Sequence, residues 1–116
     1  MEASDRCLVD IERFDLEPDR PILHGIIDEA DIRAVGSLKT FEEKLALMSK
    51  IVDVNKVSER MRLSLPEIGR SLRTWPQLSS DVTYGAGVTT TIIRRILLGE
   101  QVDSGRHYFD IERTNY

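Results

Sequence analysis

The sequence predicts a small, mainly α-helical domain of four or five helices with short terminal β-strands. Three observations predict it. Apolar residues recur at helical spacing through the middle of the chain. Threonine- and serine-led capping boxes precede two of those stretches. Strict alternation of apolar and charged residues is confined to the regions near the two ends. The 116 residues suffice for a single domain over 1–116, with residues 1–6 read as a flexible tail.

Near the N-terminus, Val9 and Ile11 alternate with Asp10 and Glu12, which predicts a half-buried strand within 7–14. Glu17 to Pro21 reads as a turn, and the apolar run 22–27 fits either strand or helix. Asp28 is placed to cap a short helix over 29–35 that Gly36 would end. Thr40 and Glu43 form a capping box, and Phe41, Leu45, Met48 and Val52 share one face, predicting a helix over 41–52. Val57 and Met61 point to a second helix over 55–62. Ser64 and Glu67 are spaced as another capping box, with Leu65, Ile68, Leu72 and Trp75 as a buried face that ends before Pro76. Residues 76–87 are rich in Ser, Thr, Gly and Asp and read as a loop. Thr89 is then the expected cap of a last helix, with Val88 and Ile93 as its hydrophobic staple. Ile92, Ile93, Ile96 and Leu97 form its apolar stripe, and Gly99 its stop. A second extended run follows over 107–113. It repeats Asp10-Ile11-Glu12-Arg13 as Asp110-Ile111-Glu112-Arg113, so two similar strands are expected, paired with each other or across a homodimer.

The composition sets several classes aside. No apolar run approaches the ~18 residues of a membrane span, and the N-terminus has no secretory apolar core. Together with a single cysteine, Cys7, this predicts an intracellular, cytoplasmic protein. His24 and His107 stand 83 positions apart without neighbouring cysteines, so no metal site is expected from ligand spacing. Acidic groups at helix starts are explained by the helix dipole. No nucleophile has an evident base, so no catalytic residue, enzyme activity or cofactor is expected.

Charge is unevenly distributed. The net charge is −4, yet residues 56–97 hold 7 basic and 3 acidic residues, while residues 1–55 hold 7 basic and 13 acidic. Six of the seven middle cations are arginines, which grip phosphate and guanine edges better than lysine does.

The run from Gly87 to Leu97 resembles the second half of a helix-turn-helix unit: a glycine turn, a hydroxyl cap, an apolar inner face and basic outer residues. Leu65 to Leu72, with Gly69 at its centre, resembles the first helix. The intervening turn is longer than that of the family, with 14 residues between Leu72 and Gly87. The resemblance implies a non-catalytic, DNA-binding regulator, commonly a dimer. Arg70, Arg73, Arg94 and Arg95 would meet phosphates or guanine, and Thr89, Thr90 and Thr91 would set register. The alternative expectation is a protein-interaction or assembly module, which accounts directly for the acidic first half.

Overall fold

The computed structural model describes residues 6–113. The tail expected over 1–6 falls outside the described residues except for Arg6. Arg6 is tied down: its guanidinium donates to Asp110 at 3.0 Å and to the Lys56 carbonyl.

Strand β1 (Cys7–Ile11) and strand β2 (Gly105–Phe109) pair antiparallel within the chain, Cys7 opposite Phe109 and Ile11 opposite Gly105. Of the two pairings expected, the intramolecular one is formed. The repeated Asp-Ile-Glu-Arg does not form a second strand, however. Asp110 lies just beyond β2, and residues 111–113 turn into a 3-10 turn.

β1 is buried at Cys7, Leu8, Val9 and Ile11, more continuously than a half-exposed strand would be. Both faces of β1 are covered. On one face, Cys7, Val9 and Ile11 pack with Val102 and Phe109 against Val88, Ile92 and Ile96 of α4 (Ser79–Leu97). On the other, Leu8 joins Val52 at the end of α2 (Phe41–Val52), Val57, and Met61 of α3 (Glu59–Ser64), with Leu65, Trp75 and Tyr108 against them. The result is three thin layers with a two-stranded sheet in the middle, a mainly α fold with terminal strands.

Several helix starts follow from their caps. Helix α1 (Glu29–Ala34) starts at Asp28, whose carboxylate accepts from the Asp31 N–H while Asp31 reciprocates. Thr40 and Glu43 make the expected box at α2. The backbone N–H groups of Thr40 and Lys39 hold the Glu43 carboxyl below the usual range. At its other end α2 presents two carbonyls without helical partners, and β2 supplies the donors. Arg106 donates to the Ile51 carbonyl, and the Tyr108 hydroxyl donates to that of Val52 at 2.9 Å.

Other elements depart from expectation. The helix expected over 55–62 begins at Glu59, because the Ser58 hydroxyl accepts from the Met61 N–H and fixes the first turn there. The ambiguous run at 22–27 is a 3-10 turn over Ile22–Gly25. No capping box forms at Ser64, whose hydroxyl instead donates back to the Arg60 carbonyl at 3.0 Å. A 3-10 turn occupies Leu65–Glu67, and the chain then doubles back. The Gly69 N–H donates to the Leu72 carbonyl at 2.7 Å. Gly69 has a φ of +81°, a conformation that ends helical geometry there. Ile68 is nonetheless buried as expected.

The largest departure is α4. The segment read as a loop is helical from Ser79, ten residues before the expected cap at Thr89. Gly85 and Gly87 lie inside it, each costing roughly 1 kcal/mol of helix propensity. Packing explains Gly85: a Cβ there would sit 2.8 Å from the Cys7 sulfur, so the helix reaches the strand only through a glycine. Gly85→Ala should therefore destabilise the fold by about 1–3 kcal/mol despite alanine's better propensity. Cys7→Ala in that background should recover part of the loss, read as denaturation midpoints. A more stable Gly85→Ala single variant would refute this close packing.

Candidate functional site

Helix α4 carries five of the seven residues expected to bind nucleic acid. Its inner face is Val88, Ile92 and Ile96, so only half of the expected stripe packs inward. Ile93 is 50% exposed and Leu97 80%. With 100° per residue, Ala86, Thr90, Ile93 and Leu97 line up on a second stripe away from the sheet.

Thr89, Thr90 and Thr91 are exposed in mid-helix and form no cap. Thr90 donates to the carbonyls of Ala86 and Gly87, and Thr91 to that of Gly87, the usual use of such hydroxyls inside helices. Arg94 and Arg95 stand 100° apart around the axis. Arg95 pairs with Glu100 at 2.7 Å, whereas Arg94 makes no ion pair among the described residues. Arg70 and Arg73 are exposed on the turn after the 3-10 segment. Residues 65–75 do not form the partner helix that the resemblance implies, and no glycine turn precedes Thr89. The structure thus brings Thr89, Thr90, Thr91, Arg94 and Arg95 onto one helix, and leaves Arg70 and Arg73 on a separate element.

A cleft of about 820 Å³ opens beside α4. α4 crosses β1, reaches the same face of β2 at Phe109 and leaves His107 exposed. Phe109 and His107 form the floor, and Tyr84, Gly87, Thr91 and Arg95 form the wall. The 101–104 segment closes one end. Tyr84 meets Phe109 edge-on, with ring centroids 5.8 Å apart. Sequence reasoning missed this cleft because its wall lay in the supposed loop.

A second constellation surrounds Asp10. Its register partner is Arg106, whose Nε lies 3.4 Å from Oδ2, and both side chains are 11% exposed. The His24 ring lies between Arg20 Nη2, 2.7 Å from Nδ1, and Asp10 Oδ1, 2.6 Å from Nε2. Arg20 can only donate, so Nδ1 accepts and Nε2 carries the proton toward Asp10. Arg20 also pairs with Glu17. To reach this position Leu23 and His24 take φ of 49° and 55°, uncommon for residues with a Cβ.

Asp10, Glu12 and His24 offer ligand atoms within 4.8 Å of one another, as a metal site would. The spacing of two distant histidines carried no such signal. Metal binding would require the His24 proton to move to Nδ1, against the Arg20 guanidinium. Arg106 also stands on the second Asp10 oxygen. Two resident cations and a donated proton make this a clasp that holds the 20–25 turn and the end of α2 to the sheet. Asp10 was read as lying on a solvated strand face. Alternation alone could not reveal that this face is covered.

Over 111 residues, 96% of its length, the chain is 40% identical to an uncharacterized protein of Mycobacterium tuberculosis. The chain spans about 15% of the length of that relative. No family model and no solved structure matches the chain.

Proposed function

We propose that this chain is a protein-interaction module that acts by binding and performs no catalysis. The observation that carries this reading is its open shape. The extents are 47 × 43 × 19 Å and the radius of gyration is 15.8 Å, against about 13 Å for a compact domain of this length. A flat body of three thin layers leaves apolar side chains outside. Ile93, Leu97 and Leu98 form a contiguous exposed group at the end of α4, of the kind that marks interfaces. The similarity to a short part of a much longer protein supports the same reading, because the remainder of such a protein is a natural cover for these surfaces. Among the described residues, no helix is long and apolar enough to cross a membrane.

A second reading, DNA binding, is favoured by one observation. Arg60, Arg62, Arg70, Arg73 and Arg94 have no ion-pair partner among the described residues. The acidic first half is matched by other cations: Asp10 by Arg106, Asp15 by Arg13, and Asp31 by Lys50. Unpaired arginines are free to meet phosphate, and Arg94 shares α4 with Arg95 and the three threonines.

Two titrations separate the readings. In the first, the partner is the M. tuberculosis relative with its matching segment deleted. It should bind this chain, and Ile93→Lys with Leu97→Lys should weaken binding at least tenfold without altering the far-ultraviolet spectrum. In the second, the partner is short duplex DNA at low and physiological salt. Binding to DNA alone, with a salt slope reduced by Arg94→Ala and Arg70→Ala, would replace the interaction reading with the second one.

A further inference from the structure

We propose that β2 is an acceptor edge, to which an extended segment of a partner protein adds as a third strand with alternate side chains in the cleft beside α4. The inference rests on the interaction reading and names the form its partner takes. In the two-stranded sheet β2 bonds to β1 on one side only. Among the described residues no backbone group of 105–109 bonds to any other segment. A strand with one paired edge turns alternate N–H and C=O groups outward, and those groups bind an extended backbone of any sequence.

The surroundings of that edge differ from those of an edge protected by cover. β1 is buried along most of its length, whereas no residue of β2 is fully buried. α4 lies over β1, held there by the approach of Gly85 to Cys7, and reaches β2 at Phe109 while leaving His107 exposed. A strand added at the usual spacing of about 4.8 Å would run along the open side of the cleft. Its inward side chains would meet Phe109, Tyr84 and Ile92, and its outward ones the solvent. The cleft therefore selects an extended segment whose alternate residues are apolar, and the backbone edge supplies the remaining affinity. A second copy of this chain, joined through the same edge by a two-fold axis, would turn Gly105, His107 and Phe109 toward the cleft, with one large apolar side chain among the three, and would fill it poorly. For that reason the occupant is a partner segment.

The test uses a phage-displayed library of short random peptides, selected on the intact chain. Selected peptides should carry apolar residues at every second position. They should shift the amide resonances of 105–109 and of the cleft wall. N-methylation along a selected peptide should reduce affinity at every second position, because only alternate amides face β2. Gly87→Leu places a side chain in the cleft at a site where nothing lies within 4 Å of the new Cβ. It should lower affinity at least tenfold while leaving the melting transition in place.

Peptides that bind without this alternation, or that shift the Ile93 and Leu97 face alone, would overturn the strand-addition proposal. So would a selection that yields no binder, or sedimentation showing a dimer that Gly87→Leu leaves intact and that excludes the peptides. If the truncated relative still binds in any of these cases, the interaction reading stands and only its strand-addition form fails. If neither peptide nor truncated relative binds, both fail.

Discussion

Asp10→Ala should destabilise the chain by about 3–5 kcal/mol, the cost of leaving a buried charge without its partner. Arg106 would then keep its bond to the Ile51 carbonyl but lose the carboxylate it pairs with. His24 would lose the acceptor for its Nε2 proton, and the left-handed backbone at Leu23 and His24 would lose one of its three anchors, keeping the His24 N–H bond to Glu12 and the ring contact with Arg20. The loss should appear as a lower urea midpoint with an unchanged slope. Asp10→Leu together with Arg106→Met should be less harmful than Asp10→Ala alone, since an apolar pair leaves no orphaned charge. The recovery should be incomplete, because the α2 terminus would still lack its donor. A change below about 1 kcal/mol for Asp10→Ala would place the pair among ordinary surface ion pairs and refute the clasp.

The parts legible in the sequence are those set by local chemistry. Asp28 caps α1, and Thr40 with Glu43 caps α2, where the sequence placed them, although the return bond between Asp31 and Asp28 was not foreseen. Strand β1 follows from alternation at Val9 and Ile11, whereas β2 ends before the repeated Asp110–Arg113 that was expected to belong to it. Gly99 ends α4 in a left-handed conformation, as its position after the apolar stripe suggested. The misread parts were decided by contacts between distant residues. Gly85 and Gly87 read as a turn because glycine weakens helices, yet α4 passes through them, and the approach to Cys7 requires Gly85. Ser64, Pro66 and Glu67 carry helix-start signals, but the chain reverses at Gly69 and the Ser64 hydroxyl is used by the helix before it. The cleft and the clasp share this cause. The clasp joins Asp10 to Arg106, 96 positions on, and the cleft exists because α4 crosses β1 while β2 pairs beside it; local periodicity carries no information about such meetings.

Leu8→Ala should cost about 2–5 kcal/mol, from lost burial and from a cavity that a strand held on both faces cannot close. Leu8 is fully buried and is the side chain on which Val52, Val57 and Met61 converge. A domain of this size is usually stable by about 5–15 kcal/mol in total. The largest fully buried side chains are only Leu8, Val52 and Cys7, which puts this fold toward the low end of that range. The variant should therefore be substantially unfolded at physiological temperature, which circular dichroism would show as a lost or strongly lowered transition. The same thinness gives binding a thermodynamic signature. A partner that covers the cleft or the Ile93 and Leu97 face binds only the folded form, so saturating amounts should raise the midpoint of Leu8→Ala by mass action. A selected peptide that binds the wild-type chain yet leaves that midpoint unmoved would bind the unfolded chain equally well, which no folded surface can explain.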